Sequence, residues 1–108
     1  MYGKTLNLRG IDYVVPPASA ADLITYESQV NQVLSIASFP KAEEWTAIGD
    51  LLYAALRCNY PEMTREQVGK LLDTGNFEMV IRVVLFGFMA LREKPEGAGK
   101  GEGARPNG

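Results

Sequence analysis

The first part of the chain alternates apolar and polar side chains. In the segment TLNLRGIDYVVPP, which covers residues 5–17, leucine is every second residue before Gly10, and a second alternating run follows it. A period of two is typical of a strand with one buried face, and glycine between two such runs favours a tight turn. The pattern predicts a β-hairpin that ends at the two prolines. Since two strands alone are marginal in water, the hairpin must pack on helices or pair with another chain.

After the hairpin, apolar residues recur at helical spacing in four segments, which predicts a mainly α fold with a small N-terminal hairpin. Ser19 is a candidate cap of the first helix, and Thr64 with Gln67 forms a capping box for the third. Gly75 suits a left-handed C-cap of the third helix, and Asn76 can cap the fourth. The predicted helices cover about Ala20–Ser38, about Ala42–Asn59, a segment opened by Thr64, and about Phe77–Arg92.

The fourth predicted helix is apolar on nearly every side. From Val83 to Leu91 its sequence is VVLFGFMAL, with no charged residue. A helix without a polar face is either central in a core or half of an interface. A domain of this size can hardly cover one helix on all sides, so we expect an exposed apolar patch that involves this helix. We assign Phe88 to the core.

The composition places the remaining residues in a tail. Residues 93–108 contain five glycines and two prolines and no large apolar side chain. Such a segment cannot bury enough apolar surface to offset its ordering entropy. The chain therefore divides into a helical domain over residues 1–92 and a flexible Gly/Pro-rich tail over residues 93–108.

The chemistry of the sequence favours a binding protein over an enzyme. The 108 residues include no histidine and one cysteine, Cys58, so a histidine-activated nucleophile is excluded and so is an internal disulfide. We interpret Cys58 as a small core residue at a helix end. No grouping predicts a metal, cofactor or catalytic site. The longest apolar segment is too short for a membrane span and carries Glu78 and Arg82.

Three segments in order resemble the tail assembly chaperones of long-tailed bacteriophages and prophages. The opening LNLRGIDYVVPP is similar to the strand, turn glycine and second strand of that family. The middle, LLYAALRCNYPEMTREQVGKLLD, resembles its helix that ends before a proline and its Thr-capped helix. The segment TGNFEMVIRVVLFG resembles its final helix. The similarity covers most of residues 5–91.

The resemblance implies a protein that binds the tape measure protein and keeps it soluble while the tail tube polymerises. It implies action in the host cytoplasm, absence from the mature virion, and no cofactor. The major tail tube protein and a second copy of the chain are further candidate partners. We expect neither nucleic acid nor membrane as a partner. The candidate contacts with the partner form an apolar surface, which consists of Val83 and of the flexible or aromatic side chains Met63, Met79, Phe86 and Met89.

Many members of that family are made in two lengths through a ribosomal frameshift. Residues Ala98, Gly99 and Lys100 can be encoded as GCG GGA AAG, which contains the slippery run GGGAAAG. Other codons encode the same residues equally well. If the run is present, the tail is a linker to a further domain in the longer product. A frayed terminus is the alternative.

Two other functions remain open from the sequence. A structural tail or virion protein could use the hairpin and the last helix to self-assemble. A small DNA-binding regulator could use the second and third helices as a helix-turn-helix, with Arg65, Gln67 and Lys70 facing outward. The net charge of −2 argues against the regulator, because nucleic-acid binders usually carry a basic patch.

Overall fold

The computed structural model describes the backbone of residues 3–99 and the side chains of residues 3–91. The fold is mainly helical and begins with a two-stranded antiparallel hairpin, as the sequence predicts. The predicted frameshift position falls at the edge of this range, because Ala98 and Gly99 are described by backbone only and Lys100 lies outside it. The elements are β1 Lys4–Leu8, β2 Ile11–Val15, α1 Ala20–Leu34, α2 Ala42–Leu56, α3 Arg65–Leu71 and α4 Phe77–Gly99.

The predicted hairpin is confirmed, with Leu8 paired to Ile11 across a two-residue turn. Both turn residues have positive φ, 54° at Arg9 and 91° at Gly10. That is the geometry of a type I′ turn, whose twist matches the twist of the strands it joins. The leucines of β1 point to the helices, since Leu6 and Leu8 are both buried.

The predicted N-caps of the first and third helices are confirmed. The hydroxyl of Ser19 accepts a hydrogen bond from the Asp22 amide at 3.1 Å. At the third helix, the Thr64 hydroxyl accepts from the Gln67 amide at 3.1 Å and the Gln67 side chain accepts from the Thr64 amide at 2.8 Å. Each bond satisfies an amide that has no partner inside its helix.

The first two helices end earlier than predicted. Helix α1 stops at Leu34, where the Ser35 amide and hydroxyl both turn back to the Gln32 carbonyl. Helix α2 stops at Leu56, because the side chain of Asn59 is drawn to the hairpin, where it donates to Val14. In both places, side-chain hydrogen bonds compete with continuation of the helix.

The predicted junction between the third and fourth helices is wrong in its details. Gly75 does not adopt a positive φ, and Leu72 is the C-cap of α3. The Asp73 carboxylate accepts from the amides of Gly75 and Asn76 at 2.8 and 2.9 Å, and the Asn76 side chain accepts from the Asp73 amide at 3.0 Å. Asp73 is therefore the cap, and Asn76 completes a reciprocal box.

The fourth helix continues past its predicted end at Arg92 and reaches Gly99. Of the predicted flexible tail, residues 93–99 thus have helical backbone, and residues 100–108 lie outside the described range.

The core lies where α2 and α4 cross beneath the hairpin. As predicted, Phe88 belongs to it, with 1% of its surface exposed. Helix α1 covers one side of this pair through Val30 and Val33, and α3 contributes Val68. The largest fully buried side chains are Leu6, Leu8, Val30, Ile48, Leu51, Leu52, Leu56, Val68, Val80 and Phe88.

Candidate binding surface

The domain leaves part of α4 uncovered, as the all-round apolar sequence predicts. The helix buries one face through Val80, Val84, Leu85 and Phe88. Its other face presents Phe86, whose surface is 62% exposed. Leaving a phenylalanine ring in water forgoes about 1.5–3 kcal/mol of burial free energy, so an exposed ring of this size marks a candidate contact surface.

Phe86 stands at the edge of an apolar groove with a volume of about 600 Å³. The end of the hairpin and the segment after it form one wall, and α4 forms the other. Ala55 and Cys58, from the end of α2 and the link after it, also line the groove. The residues of the two walls are Gly3, Lys4, Val15, Pro16, Pro17, Ala18 and Asp22 on one side, and Val83, Val84, Phe86, Gly87, Phe88, Ala90 and Leu91 on the other.

Gly87 fixes how closely the two walls approach. A Cβ atom at this position would lie 3.1 Å from the backbone nitrogen of Ala18 and 3.4 Å from its Cβ. The chain after the hairpin therefore crosses α4 in near contact at one point, and the groove opens beside that crossing. Glycine in a helix costs about 1 kcal/mol relative to alanine, and here it allows the crossing.

The charges at the groove are few and stand at its edge. The ammonium group of Lys4 lies 5.1 Å from the centre of the Phe86 ring, within the range of a cation–π contact. Asp22, from the first turn of α1, contributes a carboxylate to the same wall as Lys4. An occupant thus meets an apolar floor with one charge of each sign near its margin.

The structure brings together only some of the five residues predicted as contacts. Val83 and Phe86 line the groove, and Val83 is half-buried. Met79 is 50% exposed but lies nearer the start of α4, outside the groove lining, and Met89 is half-buried. Met63 belongs to a different depression beside Tyr13 and Tyr60.

Most residues of the groove wall that the hairpin and the following segment form were not predicted from the sequence, and the assignment of Cys58 was wrong. The cysteine is exposed and lines the groove, which contradicts its assignment to the core. Helix α2 ends at Leu56, two residues before it, so Cys58 is on the link and is not carried by the buried face of the helix. No periodic signal identifies Lys4 or the Pro16–Ala18 segment as neighbours of α4, because only the tertiary contact brings them there.

The surface expected for a DNA reader is not formed on α3. The helix has seven residues, and the guanidinium of Arg65 turns toward α2, where Nε donates to Asp50 at 2.8 Å. Gln67 is engaged in its capping box, and Lys70 lies 3.8 Å from Glu66. The prediction that all three side chains face outward is therefore wrong for Arg65, and this helix presents few unpaired cations to a phosphate backbone.

Among residues 3–91, whose side chains the structure describes, no three acidic, cysteine or histidine side chains come together as a metal-binding group. Over the described backbone, residues 3–99, the helices are too short or too polar to cross a membrane.

Comparison of the chain with protein-family models, with curated proteins and with solved structures finds no significant match.

Proposed function

We propose that this protein is a non-enzymatic binding protein that holds an apolar segment of another chain. The observation that carries the proposal is the exposed ring of Phe86 beside a groove that is lined mainly by apolar side chains. Concave, largely apolar sites with a few polar groups at the margin are typical of ligand and peptide binding. A helix with one apolar stripe fits such a groove by laying that stripe into it.

More particularly, we propose a tail assembly chaperone that binds the tape measure protein of a long-tailed phage or prophage. Support comes from the order of the three family-like segments and from a groove suited to an amphipathic helix. A tape measure protein is a very long, largely helical chain with apolar stripes, so it supplies occupants of that kind. The proposed site of action is the host cytoplasm, before the tail is complete.

The first experiment measures the solubility of the tape measure protein when the two chains are co-expressed. We expect the soluble fraction to rise with the wild-type chain and not with Phe86→Glu, because burying a carboxylate in an apolar contact removes its hydration. The matched control is Ile24→Glu, since Ile24 is 79% exposed on α1 and is not part of the groove. Equal solubilisation by both variants would place the contact elsewhere.

The alternative is a structural tail component that self-assembles, which an unpaired strand edge in the hairpin would favour. The composition of purified tails separates the two functions. We expect this chain to be absent from completed particles and present in complexes with the tape measure protein before assembly. Stoichiometric amounts in purified particles would favour the structural component.

The proposed frameshift is tested separately by the gene sequence. A GGGAAAG run at the codons for residues 98–100, together with a longer product, would support a two-length protein. Different codons there and no slippery run elsewhere near the end of the gene would rule it out.

A further inference from the structure

The two outer edges of the hairpin differ in their hydrogen bonding. On β2, the amide of Val14 donates to the Tyr60 hydroxyl at 2.8 Å, and the Val14 carbonyl accepts from the side-chain amide of Asn59 at 2.9 Å. Val14 is an outward-facing position of the ladder, because hydrogen-bonded and non-hydrogen-bonded pairs alternate away from the Leu8–Ile11 pair. The link after α2 therefore closes the outer edge of β2 at this residue.

The outer edge of β1 has no such cover. By the same alternation, Thr5 and Asn7 direct their amides and carbonyls away from β2. Both residues are exposed, and within the described part of the chain no hydrogen bond joins these outward groups. The Asn7 side chain is engaged inside the hairpin, where it bonds to Asp12 and to the Gly10 amide.

This edge carries few of the features that usually prevent strands from pairing. Proteins protect edge strands with charged side chains, proline or bulges. The only charged residue of β1 is Lys4 at its start, whose ammonium group lies over the Phe86 ring, while Thr5 and Asn7 are neutral. The strand has no proline, and its register against β2 runs without a bulge. Dedicated side chains close the β2 edge at Val14, whereas both outward-facing positions of β1 are open, which indicates that β1 pairs with another strand.

We propose that β1 pairs antiparallel with β1 of a second copy of this chain, around a two-fold axis at Leu6. In this register Thr5 of each copy faces Asn7 of the other, and the outward amides and carbonyls of both residues form hydrogen bonds across the axis. The five residues of each strand then all have a partner. The result is a four-stranded sheet with the two β1 strands at its centre.

The side chains of β1 are compatible with this self-pairing. In this register even-numbered residues face even-numbered residues and odd-numbered face odd-numbered, so Leu6 and Leu8 stay on the helix-facing side of both copies while Thr5 and Asn7 stay on the other. Lys4 of one copy faces Leu8 of the other, so two cations do not meet. Registers shifted by two residues leave part of each strand unpaired, which favours the pairing centred on Leu6.

The oligomeric state of the full chain tests the proposal. Light scattering after size exclusion, over a series of concentrations, should show a monomer–dimer equilibrium. Thr5→Pro should raise the dissociation constant of the dimer by about tenfold or more. It removes an outward amide from each copy, so each dimer loses two symmetry-related hydrogen bonds. That amide does not bond to β2, so the hairpin itself keeps its ladder. Thr5→Val, which keeps the amide, is the matched control and should remain dimeric.

Cross-linking tests the register. In a Cys58→Ser background, a mixture of Thr5→Cys and Asn7→Cys chains should form the mixed disulfide in preference to either homodimer, because hydrogen-bonded antiparallel pairs have Cα atoms about 5.5 Å apart, a spacing that a disulfide can bridge.

Three results would overturn the proposal: a folded wild-type chain that is monomeric at every concentration, a dimer unaffected by Thr5→Pro, or no preference for the mixed disulfide. Circular dichroism identifies any variant that fails to fold. In that case Thr5→Lys, which places a charge on the edge and keeps the amide, takes the place of Thr5→Pro and should also weaken the dimer.

Discussion

The guanidinium of Arg65 lies directly against Gly49, so closely that a Cβ atom on Gly49 would come within 2.6 Å of a guanidinium nitrogen. From there Arg65 donates to the Asp50 carboxylate at 2.8 Å and to the Thr46 carbonyl at 3.1 Å. Asp50 also accepts from Gln29 of α1 at 3.3 Å. The absence of a side chain at Gly49 thus allows one arginine to tie α3 to α2, next to the place where α1 joins them.

We expect Gly49→Ala to be close to neutral in the wild-type chain and stabilising when Arg65 is absent. Alanine favours the helix by about 1 kcal/mol over glycine, but in the wild type it displaces the guanidinium from Asp50 and offsets that gain. In an Arg65→Ala background only the gain remains. A double-mutant cycle of unfolding free energies should therefore give a coupling of about 1 kcal/mol.

The matched control for this cycle is Gly69→Ala on α3. A Cβ atom there would lie 3.8 Å from Arg65, which is ordinary contact. We expect this variant to gain stability whether or not Arg65 is present. If the effects of Gly49→Ala and Arg65→Ala on the unfolding free energy also add, Gly49 is not needed to make room for the Arg65 guanidinium.

Tyr60→Phe should destabilise the junction between the hairpin and the helices. The change removes the hydroxyl that accepts from the Val14 amide and keeps the ring that packs edge-on against Tyr13, with centroids 5.4 Å apart. Losing this half-buried bond should cost about 0.5–1.5 kcal/mol. Hydrogen exchange by NMR should show faster exchange at the Val14 amide, while the Ile11 amide, which bonds within the hairpin, serves as the internal reference. Unchanged exchange at Val14 would show that the hydroxyl is dispensable.

Asp73 should contribute to stability mainly as a cap and only slightly through its ion pair. Asp73→Ala removes the acceptor for two amides and should cost about 1–2 kcal/mol in denaturant unfolding. Arg9→Ala removes only the 3.1 Å pair with Asp73, whose side chains are 57% and 37% exposed, and should cost well under 1 kcal/mol. Asp73→Asn keeps an acceptor oxygen, so its loss of unfolding free energy should lie between the losses for Asp73→Ala and Arg9→Ala. The reverse order would mean that the ion pair is the dominant interaction.

Cys58 should react in the folded protein, since it is exposed and lines the groove. Ellman's reagent should modify it without denaturant. A bulky maleimide at this position should then reduce solubilisation of the tape measure protein, because it occupies the space proposed for the partner. Cys58→Ser, which cannot be labelled, should keep that activity in the presence of the reagent. A labelled chain with full activity would argue that the partner does not enter the groove.

Much of the fold follows from local patterns that sequence displays directly. The alternation around Gly10 indicates the hairpin and puts Leu6 and Leu8 on one face, and the two-residue turn at Arg9 and Gly10 fixes the register of the two strands. The capping residues Ser19 and Thr64 mark helix starts, since they satisfy amides that the helix cannot. The cap at Asp73 escaped prediction because the neighbouring Gly75 and Asn76 offered equally plausible local alternatives.

The candidate surface could be predicted only in part. The uncovered apolar helix was expected from composition and domain size, and Phe86 was named among its exposed residues. Which face of α4 stays exposed depends on where the other elements pack. In the folded chain Phe86 lies at the groove, whereas Met63 lies in a separate depression. Lys4 and Cys58 became part of the site only through contacts between segments far apart in sequence.

The sequence by itself therefore determined the order and type of the elements and the excess of apolar surface on α4, because periodicity and capping act over a few residues. Tertiary structure decided which face of α4 stays open, that Cys58 lies at a groove, and that Asn59 and Tyr60 close one edge of the hairpin and leave β1 open. These outcomes depend on contacts between residues far apart in the sequence, such as Val14 and Tyr60, which are 46 positions apart, and Lys4 and Phe86, which are farther apart still, and local preferences do not encode such contacts.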